Sequence, residues 1–193
     1  MQPKKKKVII TAILGSIRPN NFTGKALRLV IDELEKHDDV KIFLIDPAKT
    51  KFPLKENVAK ALQKKAAESS GVVLATPEYH GSYSSVIKSI IENLGYPSVM
   101  AGKPVVLLGV ASGQIGAVKA LEHLQGVCLH CGVIVLPGAV SVASVHQRFD
   151  EKGKCLDGYL EQRIRGLAQN LLAYIHKHIC LDAACDETAH EVA

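Results

Sequence analysis

The 193-residue sequence predicts an α/β fold, in which a doubly wound five-stranded parallel sheet carries helices on both faces. Five short apolar segments alternate along the chain with five segments whose apolar residues recur at helical spacing. The short segments lack the regular polar alternation of a half-exposed strand, so both faces of each strand must be covered. Right-handed crossovers between parallel strands place helices on those faces.

The first half of the sequence contains three strands and three helices. β-Branched residues are frequent in the first strand, and Gly15-Ser16 ends it. Asp46-Pro47 closes the second strand, Thr76-Pro77 closes the third, and residues 47–57 form a polar connection. In order, the predicted elements are strand Val8 to Leu14, helix Thr23 to Lys36, strand Lys41 to Ile45, helix Val58 to Ser69, strand Gly71 to Ala75 and helix Ser84 to Leu94.

The second half repeats this unit. It contains strand Pro104 to Val110, helix Ile115 to Leu129, strand Val133 to Leu136, an irregular stretch from Ser141 to Leu156 and a last helix from about Asp157 to His178. We expect one domain over residues 1–179. Residues 180–193 have no periodic pattern, and we expect them to form a flexible C-terminal tail.

Composition and charge argue against two classes of partner. The net charge is +5, but Lys4 to Lys7 contribute four of those charges, so a basic nucleic-acid-binding surface is not predicted. Trp is absent and aromatic residues make up only 5%, which leaves little on which bases could stack. The apolar runs are too short to cross a bilayer, and no signal-peptide pattern opens the sequence. We therefore expect a cytoplasmic protein that binds neither nucleic acid nor membrane.

The five cysteines are an odd number in a chain long enough to fold without disulfides, which is typical of a reducing compartment. Cys128 and Cys131 form a CxxC at the end of a predicted helix, whereas a redox-active pair needs a helix start, so we expect structural thiols. His176, His178 and Cys180 lack a second cluster of matching spacing, and no metal site is predicted.

Ligands of doubly wound sheets bind beyond the carboxyl ends of the strands, so the loops 15–22, 76–82 and 111–113 are the candidate site. The first loop places Ser16, Arg18, Asn21 and Thr23 just before a helix. Its hydroxyl, amide and guanidinium groups and the positive helix end suit a phosphate. An ordinary helix cap by Asn21 or Thr23 is the plainer interpretation. The glycine spacing fits neither a nucleotide P-loop nor a dinucleotide fingerprint.

The second loop, Thr76-Pro77-Glu78-Tyr79-His80-Gly81-Ser82-Tyr83, is the most informative stretch. Together with Gly15-Ser16-x-Arg18 it resembles the NADPH-dependent FMN reductase family of flavodoxin-like proteins, which includes quinone, azo-dye and chromate reductases. The resemblance covers roughly residues 5–143. The family carries Asn at the position of His80 and Ser at that of Asn21. The resemblance implies a flavodoxin-like sheet with strand order 2-1-3-4-5.

By resemblance, the first loop binds the phosphate of FMN and the second and third loops surround the flavin ring. The implied cofactor-binding residues are Ser16, Arg18, Asn21, Phe22, Thr23, Pro77, Glu78, Tyr79, His80, Gly81, Ser82, Ser112 and Gly113. We expect Ser112 to cap the helix that begins near Ile115. The positive end of that helix would then stabilise negative charge near N1 of the reduced ring.

The implied function is transfer of hydride from NADPH or NADH through FMN to a quinone or another small oxidant, in a ping-pong cycle. No side chain is assigned a catalytic role, although His80 and Tyr83 are candidate proton donors to a quinone. Related reductases are homodimers or homotetramers, and the apolar helix Ser84 to Leu94 with the Tyr96-Pro97 turn is the expected interface.

Three other classes of protein share this sheet, and the first two of them also share the cofactor. A flavodoxin-like electron carrier is usually strongly acidic with a hydroxyl-rich phosphate loop, which this sequence lacks. A non-catalytic FMN-binding interaction protein stays open. A phosphoacceptor signalling domain would need an acidic cluster after the first strand, where Gly15-Ser16 stands, and Asp after the third, where Thr76-Pro77 stands.

Overall fold

Strands of one sheet form the centre of the computed structural model, which describes residues 7–50 and 54–179. The strands are β1 (Val8–Leu14), β2 (Val40–Ile45), β3 (Gly71–Tyr79), β4 (Ser82–Tyr83), β5 (Pro104–Val110), β6 (Ile134–Val135) and β7 (Val140–Val142). The parallel order is β2-β1-β3-β5-β6; β7 also pairs in parallel with β5, and β4 pairs antiparallel with β3. Apart from the short β4, this is the predicted flavodoxin-like order, with β5 fourth and β6 and β7 sharing the fifth place.

Helices cover both faces of the sheet, as predicted. They are α1 (Phe22–Leu34), α2 (Glu56–Ala67), α3 (Ser85–Asn93), α4 (Val118–His130) and α5 (Gly158–His178), with short 3-10 turns at Pro47–Lys49 and Val145–Gln147. Successive residues of β3 belong to opposite apolar clusters: Val73 packs with residues of α1 and α5, and Leu74 with residues of α3 and α4. Because both faces of the sheet are buried, the strands consist of unbroken runs of apolar residues in the sequence. None of the helices that the structure describes is long and apolar enough to cross a bilayer.

The predicted end of the third strand at Thr76-Pro77 is wrong, because β3 continues to Tyr79. The Gly15 N–H donates to the Ala75 carbonyl at 2.7 Å, so Ala75 presents its backbone groups to the chain leaving β1. Pro77 is two residues after Ala75, so its backbone nitrogen also faces the β1 side of β3, where β1 has already ended. On the β5 side, Pro77 is in register with Val110. A proline at this position therefore removes no hydrogen bond from the ladder.

The predicted fifth strand, Val133 to Leu136, is shorter in the structure, as β6. A further short strand, β7, follows it and overlaps the start of the stretch predicted to be irregular. Pro137 and Gly138 separate them, and Gly138 has φ +89°. Proline cannot donate to the ladder, so pairing stops and resumes at Val140 beside Leu108. Helix α4 begins three residues later than predicted, and the bounds of the other helices differ by at most two residues. The predicted tail 180–193 lies outside the described residues.

Candidate functional site

A cleft of about 260 Å³ lies at the carboxyl end of the sheet, where the loops after β1, β3 and β5 meet. Several residues expected to bind a cofactor line it: Ser16, Arg18, Asn21, Phe22, Thr23, Pro77, Glu78, Tyr79 and Ser112. Pro19, Asn20, Val110, Ala111 and Val145 complete the lining. Pro19, Asn20 and Ala111 belong to the predicted loops, whereas Val110 and Val145 were not anticipated from the sequence. Four expected residues, His80, Gly81, Ser82 and Gly113, lie outside this lining.

The first loop ends in a capped but open helix start. Asn21 is the N-cap of α1: its Oδ1 accepts the Gly24 N–H at 2.7 Å, and its Nδ2 donates to the Arg18 carbonyl at 2.7 Å. The cap interpretation is therefore correct for Asn21, whose amide is engaged within the loop. The N–H groups of Phe22 and Thr23, in the first helical turn, have no acceptor inside the helix. They leave the positive end of α1 available to an anion in the cleft.

Arg18 connects the first loop with the second. Its guanidinium carbon lies 4.8 Å from the centroid of the Tyr79 ring, a cation–π contact across the cleft. Its backbone N–H reaches the buried Ser16 Oγ at 3.4 Å. A positive side chain thus lines the same cleft as the start of α1, which strengthens the case for a bound anion.

The second loop is a tight hairpin of β3 and β4. Tyr79 pairs with Ser82 and Glu78 with Tyr83, so only His80 and Gly81 form the turn. Both have positive φ, +51° and +74°, as a two-residue hairpin of right-handed twist requires. A Cβ at Gly81 would meet no atom within 4 Å, so the turn projects into open space beyond the cleft.

The third loop differs from the prediction. Ser112 does not cap α4, which begins at Val118 with Ala117 in the N-cap position. Gly116 explains the delay: it has φ +82°, and a Cβ there would lie 2.4 Å from Ser141 Oγ. The loop is held by bonds from the Ser144 N–H to the Gly113 carbonyl at 2.9 Å and from the Val145 N–H to the Ala111 carbonyl at 3.1 Å.

Protein side chains accept two of the N–H groups at the start of α4. Glu78 Oε2 accepts the Ala120 N–H at 3.1 Å, and Ser141 Oγ accepts the Ala117 N–H at 2.8 Å. The expectation that Ser112 caps this helix is therefore wrong. A role of the positive end of α4 beside a ligand stays a prediction.

Residues 8–147 match the model of the NADPH-dependent FMN reductase family. The chain belongs to this family. Membership confirms the predicted family and makes the protein an FMN-dependent oxidoreductase that uses NAD(P)H as electron donor. It also confirms the predicted enzyme class.

Named relatives of the chain are reductases. It is 34% identical over 138 residues to a 2-hydroxy-1,4-benzoquinone reductase of a Burkholderia species, covering 66% of this chain and 73% of that one. It is 25% identical over 179 residues to an NAD(P)H-dependent FMN reductase of Pseudomonas aeruginosa, covering 87% and 95%. An FMN-dependent NADPH-azoreductase of Staphylococcus aureus is 25% identical over 179 residues, covering 85% and 93%.

Solved structures show the same fold. The flavoenzyme NAD(P)H:(acceptor) oxidoreductase of Paracoccus denitrificans aligns with TM-score 0.75 at 22% identity, over 89% of this chain and 98% of that one. A flavodoxin of Streptococcus pneumoniae aligns with TM-score 0.62 at 15% identity, over 86% and 99%. Because reductase and flavodoxin share the architecture, the fold alone does not separate them.

The residues of the cleft fit the cofactor of this reductase family. The open N–H groups of α1 and the guanidinium of Arg18 supply charge-complementary donors for the FMN phosphate. Toward the ring end, a Cβ at Gly113 would meet no atom within 4 Å, so the third loop leaves room for a flat group. Phosphate donors at one end and small residues at the other match the two parts of FMN.

Val145 is the clearest residue that sequence reasoning missed. It lies in the irregular stretch after Ser141, which carries no periodic signal. Backbone hydrogen bonds to the third loop bring it into the cleft. Val110 directly precedes the predicted loop 111–113 and could have been included from strand position alone.

The cysteines of this reductase are free thiols among the described residues, at Cys128, Cys131 and Cys155. Burial raises the pKa of Cys128 to about 12, so its nucleophilic thiolate is scarcely populated near neutral pH. Burial also raises the pKa of Cys155. The raised pKa of Cys128 agrees with the structural role expected for that member of the CxxC pair. Within residues 7–50 and 54–179, no group of three or more His, Cys, Asp or Glu side chains could hold a metal ion.

A second concave surface, the α3–α4 groove, has a volume of about 650 Å³ and a mostly apolar lining. It is lined by Lys88, Ile91, Glu92, Gly95, Tyr96, His123, Gly126, Val127, His130 and Cys131. Tyr96 is 95% exposed beside it. An apolar surface of this size with a protruding aromatic side chain is typical of a protein interface.

Proposed function

We propose that this family member passes hydride from NADPH or NADH through FMN to a quinone or another small oxidant in a ping-pong cycle. The observation that carries the proposal is that the open α1 start, Arg18 and the end of β3 line one cleft. Relatives named as quinone reductase and azoreductase support the class of oxidant. When bound, FMN supplies the two-electron hydride chemistry.

The protein's part in this function is to bind and orient. Ser16, Arg18, Asn21, Phe22 and Thr23 hold the phosphate end, with Asn21 acting through its cap of α1. The ring end is held by the second and third loops, at Pro77, Glu78, Tyr79, His80, Gly81, Ser82, Ser112 and Gly113. The open space at Gly81 and Gly113 leaves one ring face accessible, first to the nicotinamide and then to the oxidant. His80, exposed at the turn, is the proposed proton donor to a quinone.

The proposed assembly is a homodimer or homotetramer. A second copy is the occupant we propose for the α3–α4 groove, because the groove is apolar and Tyr96 stands exposed at its edge. We also propose a cytoplasmic location, since the three described cysteines are free thiols.

Anaerobic mixing tests the function. NADPH or NADH should bleach the visible absorption band of the FMN-loaded protein, and a quinone added afterwards should restore it. Initial rates at several quinone concentrations should give parallel double-reciprocal plots against NADPH. Bleaching by a one-electron donor, with no response to either nicotinamide, would favour the electron-carrier alternative. No reaction with any donor would favour the interaction-protein alternative.

A further inference from the structure

Helix α4 holds the hairpin of the second loop at two points. Before the turn, Glu78 Oε2 accepts the Ala120 N–H at 3.1 Å. After the turn, Ser82 Oγ lies 3.0 Å from His123 Nδ1. Ala120 and His123 are three residues apart in the helix and therefore lie on one face. The two bonds bracket His80 and Gly81, the residues that form the turn.

The Glu78 contact replaces a missing helix cap. Ala117, in the N-cap position of α4, has no side-chain acceptor. Ala120 is the third residue of the helix, and its N–H is one that an N-cap side chain would normally accept. A carboxylate at the positive end of a helix makes a charge-assisted bond. Glu78 thus directs its carboxylate to α4 and ties the strand that enters the turn to that helix.

The Ser82 contact acts nearer the tip. His80 and Gly81 both hold left-handed backbone conformations, and His80 is exposed. Because His123 is also exposed in the single chain, its bond to Ser82 is weaker than that of Glu78. It nevertheless fixes the strand that leaves the turn, so the turn cannot swing away from α4 without breaking it.

We propose that Glu78 and His123 are positioning residues that use α4 to set the place of the His80-Gly81 turn against the flavin ring. The inference rests on the proposed function and deepens it, because it names what orients the second loop. Both residues act through the turn rather than on the reacting atoms. Neither contact with α4 could be predicted from the sequence, because the partners are far apart in it; Glu78 and Ala120 are separated by 42 residues.

The test compares two removals with two conservative replacements. Glu78→Ala and His123→Leu remove the bonds, whereas Glu78→Gln keeps an acceptor oxygen and His123→Asn keeps a polar atom near the Nδ1 position. Glu122→Gln and His130→Leu are matched controls on the same helix, since neither side chain bonds to the hairpin. FMN affinity is measured by quenching of flavin fluorescence, and the turn by hydrogen exchange of the Tyr79 to Tyr83 amides in the apoprotein.

The expected results differ in size. Glu78→Ala should weaken FMN binding about ten-fold and His123→Leu about three-fold, with faster exchange of the hairpin amides and a changed circular dichroism of the bound flavin. Glu78→Gln and His123→Asn should recover most of the affinity, and both controls should match the parent. Ser82→Ala combined with His123→Leu should be no weaker than either alone, because both remove the same bond.

Unchanged affinity and exchange in His123→Leu and Glu78→Ala would overturn the proposal. Failure of both conservative replacements to restore the affinity would also overturn it, since the effect would then come from general packing. If Glu78→Ala does not fold, the His123 and Ser82 variants decide the matter. If the parent binds no FMN, the proposed function fails, and amide exchange in the apoprotein still decides whether α4 holds the turn.

Discussion

Arg18 is the residue on which the proposed phosphate site depends most directly. Its guanidinium lies over the Tyr79 ring in the cleft that the open start of α1 also lines. Arg18→Ala removes a charge-assisted contact of about 1.5–3 kcal/mol and should weaken FMN binding about ten-fold or more. Fluorescence titration with FMN and with riboflavin measures this, and only FMN affinity should fall.

Two further arginine variants control this prediction. Arg28→Ala removes the same charge from an exposed site on α1, where Arg28 pairs with Asp32 and Glu35, and should bind FMN like the parent. Arg18→Lys keeps the charge without the planar group and should fall between parent and Arg18→Ala. An Arg18→Ala protein that titrates like the parent would show that the phosphate lies elsewhere.

Gly81 is the residue on which the turn depends. At φ +74° a β-branched residue is strained, although its Cβ would meet no atom within 4 Å. Gly81→Val should therefore act through the backbone, at about 1–2 kcal/mol, and lower FMN affinity about ten-fold together with the rate of hydride transfer. Gly81→Asn, which tolerates this conformation, should retain both. A valine variant with full FMN affinity would show that the second loop is not part of the flavin site.

At the scale of elements, Glu33 joins α1 to α5. It is nearly buried, accepts a bond from Gln169 Nε2 at 3.0 Å and lies 3.7 Å from Arg165 Nη1. The hydrogen bonds from Lys36 and Gln169 lower its pKa below the usual 4.5. A lowered pKa in the folded state stabilises the protein above pH 4.5, and this contribution is lost as the pH falls through the folded-state value.

Glu33→Gln should reduce the free energy of unfolding by about 1 kcal/mol at pH 7, because the bond to Lys36 is exposed and partly screened. The deficit should shrink as the pH falls below 4.5, where the parent also loses the charge. Urea unfolding at pH 7 and at pH 3.5 measures both differences. A deficit that is the same at the two pH values would exclude the charge as its cause.

At the scale of the whole molecule, the α3–α4 groove predicts self-association. Tyr96→Glu places a charge on the side chain that is 95% exposed at the groove and should convert the homo-oligomer to a monomer at micromolar concentration. Sedimentation should give a multiple of 20.8 kDa for the parent and 20.8 kDa for the variant. Tyr159→Glu, at an exposed tyrosine at the start of α5, is the control and should leave the assembly intact. If the parent protein sediments as a monomer, the proposed interface is wrong.

The sequence by itself determined the layered sheet and the place of the site. The bounds of β1 and β5 agree with the prediction because each strand is buried on both faces. A strand buried in this way has an unbroken run of apolar residues, which is easily recognised in the sequence. The loop proposed to hold the phosphate was equally recognisable, since its polar residues are close together in the sequence and precede a helix.

Only the tertiary structure decided which segments meet around that site. Val145 enters the cleft through bonds to the third loop, and the start of α4 is capped by Glu78 and Ser141 from other strands. Pro77 remains inside β3 because the neighbouring strand has ended there. The local pattern of apolar residues indicates how each segment is buried. The acceptor of a given N–H group depends instead on how distant segments pack, and the periodicity of the sequence does not predict it.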